Sequence, residues 1–149
     1  MKRALFALLL LSCSRQAPEQ TPEGVVRLWL DKMEEQEEDP RAAREAFALL
    51  GPTARANLEQ RADRASRMMG RRVEPHEMLA EGRFGLKFRP KTMTSHVTGD
   101  RATVDVTGSD PAEHATVLCA RIVATDSKPA WRVEPELPEP PAAAPPSPR

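Results

Sequence analysis

The sequence has little of what usually identifies a function. It contains no tyrosine and two cysteines among 149 residues, and its 22 basic residues are matched by 22 acidic ones. This balance gives no indication of nucleic acid as a partner, because nucleic-acid-binding domains carry a clustered excess of lysine and arginine. The apolar run at residues 4–11 is also much shorter than the roughly 20 residues that cross a bilayer. A membrane-spanning helix is therefore not predicted there.

The first 13 residues have the pattern of a secretory signal peptide. Two basic residues precede the apolar run of residues 4–11, and the small residue Ser12 follows it. Residues 10–13, LLSC, resemble the lipobox of bacterial lipoproteins, in which an aliphatic residue, a tolerant position and a small residue precede an invariant cysteine. The resemblance implies that the chain is cut before Cys13 and that the Cys13 thiol is acylated. The alternative is an ordinary signal peptide in which this cysteine is incidental.

These observations predict a signal peptide at residues 1–12 and a lipidated cysteine with a polar tether at residues 13–20. Lipid on Cys13 makes the membrane a partner of the chain, since two acyl chains anchor a protein effectively permanently. At roughly 3.3 Å per residue the tether reaches about 25 Å, which keeps the folded part near the bilayer. Lipoproteins of the inner membrane often carry aspartate after the cysteine, and Ser14 stands here instead. The predicted location is the cell envelope, facing the periplasm or the cell surface, with the outer membrane favoured.

The rest of the chain is divided by composition. Residues 21–136 are enough for a single domain. Once Cys13 carries lipid, Cys119 has no cysteine partner within the chain, so the fold depends on its hydrophobic core. Residues 137–149 are rich in proline and alanine and are predicted to be a disordered tail, because they cannot bury enough apolar surface to offset ordering. A recognition site for a proline-binding partner is the alternative.

Three helices are predicted in the first half of the domain. Thr21 and Pro22 form a helix start, and Val25, Trp29 and Met33 follow at four-residue steps, which indicates a helix to about residue 38. Further starts and stops indicate helices at residues 40–50 and 53–69. The side chains predicted to be buried in these two helices are Ala43, Ala46, Phe47, Leu50, Leu58, Ala62, Ala65 and Met69.

The third predicted helix carries arginines on the side opposite its apolar residues. Arg61, Arg64, Arg67 and Arg71 fall on one face when each residue turns the helix by about 100°. A solvated face explains this pattern. The alternative is a surface for anionic lipid or an acidic partner.

Residues from 83 onward alternate between apolar and polar, which is typical of strands. A first strand is predicted around Phe84, Leu86 and Phe88, and a second at residues 91–97. A turn at residues 98–100 leads to a third strand with Ala102, Val104 and Val106 on one face. Residues 115–125 are predicted to form a central strand buried on both sides, and a last strand contains Trp131 and Val133.

Helices followed by an antiparallel meander predict an α+β fold in which the N-terminal helices pack on a curved antiparallel sheet. The order of elements resembles the nuclear transport factor 2-like superfamily, whose helices rest in the hollow of a curved sheet and form a cone. The stretches that carry the resemblance are VVRLWL at 25–30, FALLGPTARANL at 47–58, HEML at 76–79 and AWRVEPEL at 130–137. That superfamily includes small bacterial lipoproteins of uncharacterised role.

The same resemblance raises a catalytic alternative, a diverged small-molecule enzyme of the ketosteroid isomerase or polyketide cyclase-like type. Ketosteroid isomerase uses an acidic base and an oxyanion site that includes a tyrosine. Asp105 or Glu77 could serve as the base if it faced the hollow, but the chain has no tyrosine to complete the oxyanion site. A non-enzymatic protein is therefore the prediction.

The residues that bind metals or act as nucleophiles form no motif. His76, His96 and His114 lie on three predicted elements without the close spacing of metal ligands. Cys119 lies in an apolar strand with no adjacent base, where a thiol is usually a small buried hydrophobic group. No catalytic residue, metal site or cofactor is predicted.

The remaining prediction is a module that binds an apolar small molecule or an envelope protein, without nucleic acid as a partner. A cone of helices and sheet encloses a hollow, and an apolar hollow with few polar groups is the usual form of a ligand site. A plain hydrophobic core explains the same residues equally well. The candidate lining residues are Trp29, Met33, Phe47, Phe84 and Phe88.

Overall fold

The computed structural model describes residues 16–79, 85–123 and 128–137. The predicted α+β class is confirmed, because three helices precede a four-stranded antiparallel sheet of strand order β1-β2-β3-β4. Two short 3-10 turns, Pro18–Gln20 and Pro75–Met78, flank the helices. The helices and strands are α1 (Pro22–Glu35), α2 (Pro40–Ala48), α3 (Pro52–Met69), β1 (Thr92–Thr98), β2 (Arg101–Thr107), β3 (His114–Ile122) and β4 (Ala130–Val133).

The predicted starts of α1 and α2 are confirmed by hydrogen bonds at the caps, whereas α3 begins at Pro52, one residue before the predicted start. The Thr21 hydroxyl accepts a hydrogen bond from the Gly24 amide at 3.1 Å, and the Asp39 carboxylate accepts one from the Arg41 amide at 2.9 Å. Each cap satisfies one of the amides that a helix start leaves without an intrahelical partner. α1 ends at Glu35, about one turn before the predicted end.

The core lies between α1 and the inner face of the sheet. α1 contacts β1, β2 and β4, and its stripe of buried residues repeats at the predicted helical spacing. Trp29 is the largest of these side chains and is 1% exposed. The buried apolar residues form one contiguous group, the core cluster, whose most completely buried members are Val25, Val26, Trp29, Leu50, Leu58, Val104, Val106 and Val133.

The buried faces of α2 and α3 differ in part from the prediction. α2 buries Ala42 and Ala46, whereas Ala43 is half-buried. α3 buries Ala54, Leu58 and Ala62 only, and Met69 is 62% exposed, so its predicted burial is wrong. The reason is that packing against the core ends after Ala62, before the helix itself ends.

The predicted hairpin is confirmed. Thr98 pairs with Arg101 across a two-residue turn, and Gly99 has a φ of 61° there. Positive φ is disfavoured for residues with a Cβ atom, which explains glycine at this position. The inner face of β2 carries Ala102, Val104 and Val106, all buried as predicted.

Two strand predictions are wrong. Residues 85–90 are not in a strand, although Leu86 and Phe88 both pack against the core as an alternating pattern requires. β3 is buried on one face only, through Val117 and Cys119, because the helices cover a single face of the sheet. Its opposite face, with Leu118 and Ala120, is half-buried.

The two edges of the sheet are each covered by a segment from the helical half. At the β1 edge the Ser95 amide donates to the Glu23 carboxylate at 3.0 Å. Burial raises the pKa of Glu23, but hydrogen bonds from the Ser95 side chain and from the Glu23 and Ser95 amides outweigh it and leave the pKa lowered. At the β4 edge Leu50 forms a parallel bridge with Val133.

Glu134 joins the end of the sheet to the start of α3. Its carboxylate accepts hydrogen bonds from the Thr53 amide at 3.1 Å and the Ala54 amide at 2.8 Å. Gly51 stands directly beside it, and a Cβ atom at Gly51 would lie 2.2 Å from a Glu134 oxygen. The helix start therefore takes its cap from a residue about 80 positions later in the chain.

We predict that Glu134→Ala lowers the free energy of unfolding by about 1–2 kcal/mol, because loss of a capping side chain costs about that much. Glu134→Gln keeps one accepting oxygen and should cost less than half of this. Denaturant unfolding measures both. The exposed Glu136 provides the control, and Glu136→Ala should stay within about 0.5 kcal/mol of the parent. Equal stability of Glu134→Ala and Glu136→Ala would contradict the capping role.

Candidate functional site

An open groove follows the flank of α1, between this helix and residues 85–93. It consists of two hollows of about 540 and 370 Å³ that share Leu30, Glu34 and Pro90 and therefore continue into each other. We call it the α1 groove. Its apolar floor is formed by Leu30, Met33, Leu86, Phe88, Pro90 and Met93.

The floor of the α1 groove is continuous with the core. Leu30, Leu86, Phe88 and Met93 are each partly buried and pack against the core cluster, and each leaves part of its surface open. Partly exposed apolar side chains gathered in one concave site are typical of surfaces that bind ligands.

The rim of the α1 groove carries charges of both signs. The segment wall presents Lys87, Arg89 and Lys91, and the helix wall presents acidic side chains that include Glu34. Arg89 and Glu34 approach to 3.6 Å across the rim, with side chains 95% and 76% exposed. An ion pair this exposed contributes little to stability. Separating Arg89 from Glu34 to admit a ligand therefore costs little free energy.

The structure brings together only some of the residues predicted to line a cavity. Met33 and Phe88 both line the α1 groove. Trp29 lies in the core instead, and Phe47 lies beneath the guanidinium of Arg55, 5.6 Å from its ring centre. Phe84 lies outside the described residues, as do Cys13 and residues 138–149 of the predicted tail.

Sequence reasoning did not assign Leu30 and Leu86 to a site. Leu30 follows Trp29 and lies about 100° further round α1, which places it on the flank of the buried stripe. Leu86 stands two residues before Phe88, and both side chains line the α1 groove and pack against the core. The sequence positions of Leu30 and Leu86 relative to Trp29 and Phe88 could therefore have indicated both residues. The packing of residues 85–90 against α1 could not be predicted from the sequence spacing.

Two of the three histidines meet one carboxylate on the outer face of the sheet. Asp105 Oδ2 lies 3.7 Å from His96 Nε2, and Asp105 Oδ1 lies 3.9 Å from His114 Nε2. The Thr116 hydroxyl donates to Asp105 Oδ1 at 2.9 Å. Within the described residues, no group of three or more histidine, cysteine or acidic side chains is arranged to hold a metal ion.

The side chains considered for catalysis lie apart from the α1 groove. Asp105 is on the outer face of the sheet, as described above. Glu77 accepts hydrogen bonds from the Glu74 amide at 2.8 Å and from Arg71 at 3.1 Å, which lower its pKa in that order. Burial, with the negative charges of Glu23 and Glu134, raises the pKa of the Cys119 thiol to about 12. A thiol with that pKa is not a nucleophile at neutral pH.

Comparisons of the chain with models of known protein families, with curated proteins and with solved structures gave no match. In residues 16–79, 85–123 and 128–137, no helix has the length and apolar character that crossing a membrane requires.

Proposed function

We propose that the chain is a lipid-anchored protein of the cell envelope, whose single α+β domain binds an apolar ligand in the α1 groove without catalysing a reaction. The ligand is an apolar small molecule or the apolar side chains of another envelope protein. The proposal has two parts, a binding site and an anchor, and they rest on different observations.

The observation that carries the binding site is the shape and chemistry of the α1 groove. Ligand sites are concave, mostly apolar, and lined by a small number of polar groups that orient the ligand. The α1 groove is concave and has an apolar floor around Leu30 and Phe88, and nearly half of its lining residues are charged, so its rim is more polar than that of a typical apolar pocket. The basic side chains at 87, 89 and 91 favour a ligand with an acidic group at one end.

A non-catalytic role is supported by the exposure of the acids. Carboxyl groups that act as bases are usually buried enough to shift their pKa. The two acids on the rim of the α1 groove, Asp31 and Glu34, are both exposed. Among the described residues, no charged or polar residue is buried.

The anchor and its location are supported by the start of the sequence, residues 1–13, with the lipobox-like LLSC stretch. Among the described residues, the core cluster and the side chains packed on it run from Val25 to Leu137. This leaves residues 1–13 for the proposed signal peptide and lipid attachment. The order of three helices and a four-stranded meander also supports the proposal of a nuclear transport factor 2-like cone.

The α1 groove is tested with a neutral apolar dye, N-phenyl-1-naphthylamine, whose fluorescence rises in apolar surroundings. We expect saturable binding of one dye per chain, and we expect Phe88→Ala to weaken it about tenfold, because loss of a buried aromatic contact costs about 1.4 kcal/mol or more. Phe47→Ala is the matched control, since Phe47 is a partly buried phenylalanine outside the α1 groove. Dye affinities that fall equally in both variants, or no saturable binding, would refute the assignment.

A further inference from the structure

The C-terminal half of α3 extends beyond the core. The buried residues of this helix, Ala54, Leu58 and Ala62, all lie in its first eleven positions. Residues 63–69 are half-buried or exposed, and the end of the helix lies against the 3-10 turn Pro75–Met78. The end of α3 is therefore held by this turn on one side, while Met68 and Met69 in its last turn remain exposed.

Two adjacent methionines stand at this end. Met68 is 81% exposed and Met69 is 62% exposed, which places both among the large apolar side chains that the described domain leaves in solvent. A single exposed apolar residue is ordinary, whereas an adjoining pair at a projecting tip indicates a surface that meets an apolar phase. Methionine is also flexible enough to fit an irregular surface.

Arginines precede and follow the two methionines in the sequence. Around the helix axis, Arg64 and Arg67 lie roughly 40° and 100° from Met68, whereas Met69 points toward the side of Leu58. Residues 61–77 contain five arginines and three acidic residues in a chain whose overall formal charge is zero. Arg71 pairs with Glu77 and Arg72 with Glu74, all on the surface. Arg64 and Arg67 make no ion pair with any carboxylate of the described residues. We call Arg64, Arg67, Met68, Met69, Arg71 and Arg72 the α3 tip.

Favourable interaction with the helix dipole explains only part of this arrangement. A basic residue in the last turn, here Arg67, is stabilised by the partial negative charge of a helix C-terminus. This effect fades within a turn, so it does not account for Arg64, and it gives no reason for exposed methionines.

We propose that the α3 tip docks on the surface of an anionic phospholipid bilayer. The methionine side chains enter the boundary between headgroups and acyl chains, and the arginines contact lipid phosphates, which pair with guanidinium groups. The charge of the tip selects an anionic surface over a neutral one. The inference goes beyond the proposed anchor because it assigns an orientation to the domain, with α3 facing the membrane, and it does not depend on the lipid at Cys13.

The test uses a chain that starts at Gln16, so that neither the signal peptide nor Cys13 contributes to binding. This chain keeps every residue of the core cluster, and its circular dichroism and melting curve are checked first. Binding is measured by co-sedimentation with vesicles of phosphatidylcholine alone and with equal parts of phosphatidylglycerol. We expect binding to the anionic vesicles, weakened by salt, and little binding to the neutral ones.

Two pairs of variants identify the surface. Arg64→Gln with Arg67→Gln should weaken binding about thirtyfold, since each basic residue near an anionic bilayer contributes about fivefold. Met68→Ser with Met69→Ser should weaken it about tenfold through lost apolar contact. The controls are Arg41→Gln with Arg44→Gln, which removes the same charge from the exposed side of α2, and Val97→Ser, which removes an exposed apolar side chain elsewhere. Both should bind as the parent does.

Two results would overturn the inference. If Arg41→Gln with Arg44→Gln weakens vesicle binding as much as Arg64→Gln with Arg67→Gln, the vesicles attract the net charge of the domain and the α3 tip is not a specific docking surface. If the parent does not bind anionic vesicles at all, the α3 tip does not face a membrane, and an acidic protein becomes the partner to test. Neither result bears on acylation of Cys13, which is tested separately.

Discussion

Cys13→Ala is expected to abolish anchoring of the chain, in one of two visible ways. Either the protein leaves the membrane fraction, or its signal peptide is not removed. In the second case its mass exceeds that of the mature parent by about twelve residues, those of the signal peptide. The physical reason is that the acyl chains supply the anchoring energy, at about 0.8 kcal/mol for each buried CH₂ group. The measurement is detergent phase partition of the membrane fraction, with mass determined on the same samples.

Cys119→Ala is the matched control for this experiment. Cys119 is buried in β3, and burial with nearby negative charge raises the pKa of its thiol to about 12. It should therefore be neither acylated nor needed for anchoring, and Cys119→Ala should partition as the parent does. A Cys13→Ala protein with the parent's mass and the parent's partition would contradict the proposed anchor.

Trp29→Ala is expected to lower the free energy of unfolding by about 3–5 kcal/mol, which is the usual cost of removing a large buried aromatic side chain. Trp29 is 1% exposed and belongs to the core cluster with Val104 and Val133. A loss of this size is a large part of the 5–15 kcal/mol that holds an ordinary domain together. The midpoint of urea unfolding should fall clearly.

Trp29→Phe distinguishes lost volume from lost hydrogen bonding. The indole Nε1 of Trp29 is buried without a hydrogen-bond partner among the described residues. A buried donor without a partner is unfavourable, so its removal offsets part of the volume that phenylalanine lacks. We expect Trp29→Phe to cost less than half as much as Trp29→Ala. A midpoint for Trp29→Ala close to that of the parent would place Trp29 outside the core.

The starts of α1 and α2 and the hairpin were predictable because their determinants are local, unlike the start of α3, which is capped by the distant Glu134. Thr21 caps α1 through an amide three residues away, and Gly99 forms its turn between adjoining strands. Such signals depend on a few neighbouring residues and on backbone geometry. The apolar stripe of α1 was equally clear, because a repeat near 3.6 residues places its members on one face.

The wrong strand at residues 85–90 shows what alternation does not specify. Alternating side chains place Leu86 and Phe88 on the same side, and both do pack against the core. A strand also needs a neighbouring backbone with unpaired groups. In the structure the outer edge of β1 is contacted by α1, where the Ser95 amide is bonded to Glu23, and residues 85–90 lie against α1 instead of pairing with β1. That bond joins residues 72 positions apart, so sequence spacing contained no sign of it.

The same limit applies to the candidate site. Phe88 and Met33 were predicted to line a hollow because they are large and apolar, and they do meet in the α1 groove. Met33 belongs to the core as well and reaches the groove with one side, whereas Trp29, on the same stripe, lies in the core and does not line the groove. Whether an apolar side chain forms core or groove depends on which segment covers it, and this is decided by long-range packing.

The α3 tip illustrates the reverse case. Helical periodicity placed Met69 on the apolar face of α3, and its phase along the helix is indeed close to that of Leu58 and Ala62. α3 continues for seven residues beyond Ala62, its last buried residue, so the apolar side chain of Met69 is not covered by the core. Periodicity gives the direction of a side chain, whereas burial requires a neighbour in that direction.

Growing cells with labelled fatty acid and following the label into the protein shows whether Cys13 carries the proposed lipid anchor. We expect label in the parent and in Cys119→Ala, and none in Cys13→Ala. We also expect the labelled peptide to be the one that begins at Cys13. Label that remains in Cys13→Ala, or a parent chain that takes up no label while it is processed normally, would contradict the claim.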